Sequence, residues 1–293
     1  MINCTGRGKT TTYFLYNWSI DNTKLMVYNG YRLEEIEMAK LFCMSDIHGF
    51  YRNMRRALDE AGFDPNNEEH WLIVCGDVFD RGPSPYEVMR YLKNLPRKVL
   101  IRGNHMDLFE ECCERGEYYG HDISNGTYAT ICELGGAGEG YDFSECCERA
   151  MTKTYAFRKS MVNYFETQNY IFVHSFVPLN CDSILPPYYL RGKNYTKMEN
   201  WREADEMQWE DARWGNPFEL AECGLLPEKT LVFGHWHCST GWAKLEGRSE
   251  FGDDAKFDPF YGDGFIALDA CTVRSKKVNV VIIEDDFLES DVS

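Results

Sequence analysis

The chain contains no apolar run near the ~20 residues that a bilayer-spanning helix needs, so a helical membrane protein is excluded. The N-terminus lacks a basic segment followed by an apolar core, and no secretory signal is read there. Positive charge is scarce. With 31 Lys and Arg against 47 Asp and Glu, the net charge is −16 and no stretch is densely basic. A polyanion would be repelled by that field, so nucleic acid is not expected as a partner. Most of the acids are read as solvated surface. Also missing is the CxxC spacing that lets two thiolates share a zinc ion. The 12 cysteines include adjacent pairs in the near-repeats "ECCER" at 111–115 and 145–149, which read as helix packing. Without a signal segment, the thiols are expected to be reduced and the protein cytoplasmic.

What remains is an ordinary globular composition, 44% hydrophobic and 27% charged over 293 residues. That length suits one large domain. Residues 1–37 stand apart as polar, aromatic and weakly patterned, and are read as an N-terminal extension or upstream sequence, with the domain proper at 38–293. "GRGKTTT" at 6–12 resembles a phosphate-binding loop, but Asn3 occupies the place of the required first glycine and no room is left for a preceding buried strand.

From residue 41 a rhythm sets in. "LFCMSD" ends in Asp46, "WLIVCGD" in Asp77 and "KVLIRGN" in Asn104, each an apolar run read as a buried strand. Between them, 52–63 carries Met54, Ala57, Leu58 and Ala61 at helical spacing, and 85–95 carries Val88, Tyr91 and Leu92. The order βαβαβ predicts an α/β fold with parallel strands. Residues 108–169 read as a mainly helical insertion. "YIFVH" (170–174) and "TLVFGH" (230–235) then repeat the strand pattern with a terminal histidine, and 264–270 and 277–285 read as closing strands. The connections at 178–229 and 238–263, rich in Trp, Tyr, Pro and Gly, are read as loops suited to a substrate cleft or as surface insertions.

Asp46, Asp77, Asn104, His174 and His235 thus come from distant parts of the chain, yet each sits at the carboxyl end of a predicted strand. In α/β sheets those ends converge where ligands bind. His48, in "DIHG", adds a sixth donor, and Gly49 lets the chain turn beside it. Taken one at a time, "SDIHG" is equally an Asx turn and "YIFVH" an apolar strand with a surface histidine. Together they need several independent coincidences. Mixed carboxylate, amide and imidazole donors suit Mn²⁺, Fe or Zn²⁺, and six or seven are too many for one tetrahedral ion. Two divalent ions are therefore expected, with Asp77 as the natural bridge. Such a pair activates a shared water and clamps both oxygens of an in-line displacement, which is the chemistry of phosphoester hydrolysis.

"SDIHG" (45–49), "GDVFDRGP" (76–83), "GNH" (103–105), "VH" (173–174) and "FGH" (233–235) resemble, in order, the motifs of the calcineurin-like metallophosphoesterases. Within that superfamily they most resemble the bacterial and phage phosphoprotein phosphatases. The resemblance covers about residues 41–283 and implies a fold of central β-sheets flanked by helices. It implies one metal site built from Asp46, His48 and Asp77, and another from Asp77, Asn104, His174 and His235. His105 becomes the general acid, Asp80 its orienting carboxylate and Arg81 a phosphate ligand. A second phosphate arginine is expected from a later loop, with Arg213 the choice and Arg202 the competitor. His237 matches the second histidine of the wider superfamily's "GHxH", a metal ligand there and absent from the protein phosphatases; the sequence leaves its role open. Two departures stand out: Ser45 before the first aspartate, and Met106-Asp107 where the phosphatases have glutamate after the general acid.

The function expected is a metal-dependent phosphomonoesterase acting on a phosphorylated protein or a small phosphoester. Diadenosine tetraphosphate hydrolysis is the alternative, because "FGHW" (233–236) and "ALD" (267–269) are also similar to those hydrolases, with Trp236 and the aromatic residues of 186–218 available to stack a nucleobase. A generic phosphodiesterase comes third. A non-catalytic binding protein on the same fold comes last, since every ligand and the general acid are present.

Overall fold

Of the first 38 residues, this computed structural model describes only the backbone of four strands, β1 (Ile2–Cys4), β2 (Thr11–Leu15), β3 (Lys24–Asn29) and β4 (Arg32–Glu37), paired antiparallel in sequence order as a separate sheet. It describes residues 39–138, 140–181 and 194–287 in full. Most of "GRGKTTT" lies outside the described residues, as does the start of the aromatic stretch at 186–218.

The apolar runs read from the sequence form parallel strands β5 (Ala39–Met44), β6 (His70–Cys75) and β7 (Lys98–Ile101), in register from Lys40 opposite His70 to Cys75 opposite Ile101. The connecting helices α1 (Tyr51–Ala61) and α2 (Pro85–Asn94) follow the predicted apolar spacing. Gly62, at φ 78°, stops the first, and Pro85 opens the second, where its missing N–H has no partner to lose. The helical insertion comprises α3 (Asn104–Arg115), α4 (Gly120–Asn125), α5 (Thr127–Gly135) and α6 (Phe143–Lys159). Cys112, Cys113, Cys146 and Cys147 are buried with these helices in the core beneath the first sheet, the packing role their spacing suggests.

Six strands follow: β8 (Met161–Val162), β9 (Phe165–Glu166), β10 (Tyr170–Phe172), β11 (Leu179–Cys181), β12 (Tyr195–Lys197) and, after α7 (Glu206–Arg213) and α8 (Pro217–Glu222), β13 (Thr230–Phe233). The chain closes with α9 (Cys238–Glu246), β14 (Phe260–Gly262), β15 (Phe265–Ala267), α10 (Thr272–Ser275) and β16 (Val281–Asp285). Both closing strands are shorter than the apolar runs predicted.

Two five-stranded sheets result, ordered β16-β5-β6-β7-β8 and β14-β15-β13-β10-β9. They pack face to face. Leu41, Cys43, Ile73 and Ile101 of one interdigitate with Phe165, Phe172, Val232 and Ile266 of the other. Helices α1, α2, α3, α5 and α6 cover the outside of the first sheet, and α7, α8 and α9 lie with the core outside the second. The sequence pattern suggested donors along one open sheet edge; instead they come from two facing sheets. Asp46, Asp77 and Asn104 leave the first, and His174 and His235 leave the second. Parallel pairing of β10 with β13 puts both histidines at the same end.

Candidate metal centre

Asp46, Asp77, His174 and His235 each sit two residues beyond a strand and Asn104 three, where the backbone must turn. Among the described residues, eight besides glycine have positive φ, and six of them are Asp46, His48, Asp77, Asp80, Arg81 and His235. Non-glycine residues adopt that region at a cost and persist there when the surroundings hold them. Gly49 (φ 69°) makes the turn after His48. Gly234 serves close approach instead: a Cβ there would come 2.2 Å from Asp46 Oδ2. That proximity lets the His235 amide donate to the same oxygen at 2.9 Å, tying the two sheets together at the site.

Backbone carbonyls set the imidazole tautomers. His48 Nδ1 donates to Phe79 O (2.9 Å) and His174 Nδ1 to Cys75 O (3.0 Å), so each Nε2 presents a lone pair inward. Both lone pairs face Asp77 Oδ2, at 3.8 and 3.5 Å. His174 Nε2 also stands 2.8 Å from Asn104 Oδ1, which lies 3.2 Å from His235 Nδ1. Acceptors facing acceptors in a buried pocket repel unless a cation or proton lies between them. The donors therefore fit divalent cations. Two triads are compact enough to hold one, His48 with Asp77 and His105, and Asp77 with His174 and His235. Asp46 Oδ1, 3.8 Å from His48 Nε2, borders the first. Asp77 belongs to both, and its strand is the central one of the first sheet.

The electrostatics separate the histidines. Burial pushes His48 well down, with His105 adding to the effect, and burial pushes His235 down to about 3, with His174 adding to it. Neutral rings are what metal ligation requires. Burial also works against a charged His105, but Asp77 and the hydrogen bond to Asp80 outweigh it and raise its pKa. Burial pushes Asp46 up, helped by Asp269 and Asp77. Burial would raise Asp77 too, yet the surrounding His174, His105, His48 and His235 hold it well below the usual carboxylate range.

His105 is oriented by a buried carboxylate. Its Nδ1 donates to Asp80 Oδ2 at 2.7 Å, and Thr127 Oγ1 donates to the same oxygen at 2.7 Å. The Asp80 amide is fixed in turn by Thr130 Oγ1 at 3.1 Å. Arg81 straddles the mouth, with its guanidinium nitrogens 3.1 Å from His48 Nε2 and 3.0 Å from His105 Nε2.

The family model of the calcineurin-like phosphoesterases matches residues 39–239. The chain belongs to this family. Calcineurin-like phosphoesterases are phosphoric ester hydrolases with a dinuclear divalent metal site, and the buried Asp and His side chains above are candidate ligands. The chain is 46% identical over 69 residues to "Bis(5'-nucleosyl)-tetraphosphatase, symmetrical" of Aeromonas salmonicida (strain A449), covering 23% of this chain and 24% of that protein. It is 37% identical over 70 residues to the protein of the same name from Aromatoleum aromaticum (strain DSM 19018 / LMG 30748 / EbN1), covering 24% of each. The match spans about a quarter of the length of these curated relatives. Among solved structures, a cold-active protein-tyrosine phosphatase of a psychrophile Shewanella sp. is similar with TM-score 0.45 at 16% identity, covering 95% of this chain and 91% of that one.

In this calcineurin-like phosphoesterase, the two arginines weighed as second phosphate ligands are engaged elsewhere. Arg213 is 3% exposed, and its guanidinium donates to Asp107, Glu206 and Asn163. Arg202 pairs with Glu166 and Glu228. Asp107, the residue noted above as a departure, accepts from both Arg102 and Arg213, forming an ion-pair network behind the site. His237 opens α9 with its Nε2 3.7 Å from Asp269 Oδ2 and its ring 5.4 Å from that of Phe251. Neither compact triad includes it. Asp269 is the residue the strand-end pattern missed. It is buried, burial pushes its pKa up to about 7, and it lies beyond β15 as Asp46 lies beyond β5. The "ALD" triplet signalled it, but no histidine motif marked it as a donor.

Proposed function

We propose that this chain is a metal-dependent hydrolase of dinucleoside polyphosphates, cleaving a phosphoanhydride between two nucleotide halves. Divalent ions, when bound, supply Lewis acidity toward a phosphoryl oxygen and acidify water. The chain's own groups do the rest. Asp46, His48, Asp77, Asn104, His174 and His235 hold the cations, and His237 stands beside them. The Arg81 fork binds equatorial phosphate oxygens. His105, kept protonated by Asp80, hands its proton to the oxygen leaving phosphorus as water adds.

The observation that carries the substrate class is the pair of half-buried indoles, Trp214 and Trp236, with rings 6.2 and 6.0 Å from that of His235. They flank the reacting centre at the distance a nucleoside base or ribose would reach, and base stacking on an aromatic ring contributes roughly 1–3 kcal/mol. The name carried by the matched relatives supports the same class.

A phosphomonoester, free or on a protein, is the second reading, favoured by the His105–Asp80 dyad. An alkoxide needs that proton more than a departing phosphate does. Purified protein with Mn²⁺, assayed against diadenosine tetraphosphate, a phosphopeptide and p-nitrophenyl phosphate, decides between them. The proposal expects kcat/KM for the dinucleotide to exceed both monoesters at least about 10-fold. A monoester preferred over the dinucleotide overturns it.

A further inference from the structure

The sequence has no dense basic run, yet the fold assembles a basic patch beside the metal centre. Thr272 opens α10 and donates from Oγ1 to the Asp46 carbonyl at 2.8 Å, fixing the segment 271–277 against the loop after β5. Arg274, Lys276 and Lys277 of that segment are exposed. Lys276 folds back so that its Nζ stands 4.9 Å from the Phe50 ring centre, two residues beyond His48, while its carbonyl accepts from Arg56 at 3.2 Å. Exposed Arg52 lies on the same first turn of α1. The same Thr272 bond sets the patch against the loop that carries Asp46 and His48, at the rim of the centre.

Two properties mark these cations. Among the described residues, Arg52, Arg81, Arg274, Lys276 and Lys277 make no ion pair with a carboxylate, as Arg90, Lys93 and Lys153 also do not, whereas Arg55 and Arg56 beside them on α1 are paired. The segment is also held in a special backbone. Cys271 and Lys276 are the two positive-φ residues besides glycine that lie outside the donor loops. On a chain of net charge −16, unpaired cations gathered at one rim of the centre create a local attraction for anions that the remaining surface opposes.

We propose that Arg274, Lys276 and Lys277, continued by Arg52 and meeting Arg81, form a subsite for an extended polyphosphate, holding the substrate phosphates beyond the phosphorus under attack. This rests on the dinucleoside polyphosphate reading above and extends it. A monoester offers one phosphate, which Arg81 and the cation site already occupy. A polyphosphate adds charged oxygens that need further partners, and the rim supplies them. The subsite thus selects by chain length.

The test uses the full chain with Mn²⁺ in excess and the variant Arg274→Gln/Lys276→Gln/Lys277→Gln, with far-UV circular dichroism and Tm confirming that it folds. Inhibition of p-nitrophenyl phosphate turnover is measured with orthophosphate and with tripolyphosphate at matched free metal. The inhibition constant for tripolyphosphate is expected to rise about 10-fold while that for orthophosphate moves less than about 2-fold. Raising salt from about 50 to 200 mM is expected to weaken tripolyphosphate binding more steeply in the parent protein than in the variant. Equal changes for both inhibitors, or none, overturn the subsite; so does a single Lys277→Glu change that leaves tripolyphosphate inhibition unaltered. If diadenosine tetraphosphate proves a poor substrate while the tripolyphosphate difference holds, the substrate reading fails and the subsite stands.

Discussion

The two ends of the β-sandwich contrast in what they do with polar side chains. At the ends where β10, β13 and the strands of the first sheet terminate, donors face donors, the backbone is strained and carboxylates crowd together. The opposite end holds a groove of about 1450 Å³ bordered by Ala39, Lys98 and Lys229 near the beginnings of β5, β7 and β13. There the charges are satisfied. Arg102 and Arg158 share Glu110, and Arg202 and Lys229 share Glu166. The buried carboxylates and imidazoles that the fold crowds together lie at one end.

The contrast breaks most sharply at Asp77, which both candidate cation groups share. Asp77→Asn is expected to lower kcat/KM at least about 10³-fold and to abolish stoichiometric metal binding measured by atomic emission on dialysed protein. Full metal content with near-parental activity would show that the centre does not depend on it. Next comes Asp80→Asn, which leaves His105 in place but removes the partner of its Nδ1. A loss of about 10²-fold in kcat is expected on substrates with poor leaving groups. The pH profile adds a sign. His105 must be protonated to act, and Asp80 helps raise its pKa, so the alkaline limb of kcat moves to lower pH in the variant. The same pairing contributes folding stability that is present below about pH 6.5 and lost as pH rises through the raised pKa. An unmoved alkaline limb would take His105 out of the acid role.

His237→Ala against His235→Ala comes third in size. His235 belongs to a compact triad, while His237 faces Asp269 from the rim. Loss of His235 is expected to remove one metal equivalent, and loss of His237 to weaken metal affinity by about 10–100-fold, as for a group that supports ligands. Identical metal titrations for the His237 variant and the parent would make it a bystander.

The sequence made the strand order and the convergence of the candidate donors readable because apolar runs ending in Asp, Asn or His follow directly from burial on both sides of a parallel sheet. It hid three things. Nothing in the runs says that β7 and β10 belong to different sheets, because the short β8 and β9 that separate them carry no strong pattern. Asp269 follows a strand like the other donors but lacks a histidine companion. Arg213 looked like a phosphate ligand from its loop, whereas its partners Asp107, Asn163 and Glu206 come from three separate stretches of chain that only folding brings together. The basic rim is hidden for the same reason, being built from residue 52, residue 81 and residues 274–277.

Arg213 then sharpens the contrast from the stability side. Its side chain is 4% exposed and is paired with Asp107, so Arg213→Ala leaves that carboxylate with Arg102 alone and removes the bonds to Asn163 and Glu206 behind α3. A loss of about 2 kcal/mol in unfolding free energy is expected from urea titration, as for lost hydrogen bonds between charged groups. KM is expected to change less than about 2-fold. A large rise in KM with unchanged stability would return Arg213 to the substrate.

The smallest effect belongs to the groove. Arg202 bonds Glu166 through two nitrogens, reaches Glu228 and lies 4.2 Å from the Trp201 ring centre, a set of contacts that looks substantial. Its side chain is nevertheless 35% exposed and Glu228 58%, so water screens the attraction and ordering a long side chain offsets part of it. Arg202→Ala is expected to cost no more than about 1 kcal/mol, halved again in high salt, with kcat, KM and metal content unchanged. The exposed pair and the buried one differ in desolvation rather than in hydrogen-bond count, and comparing Arg202→Ala with Arg213→Ala measures that difference within one fold. A loss in the Arg202 variant as large as in the Arg213 variant would mean that the groove is as tightly held as the network behind the metal centre.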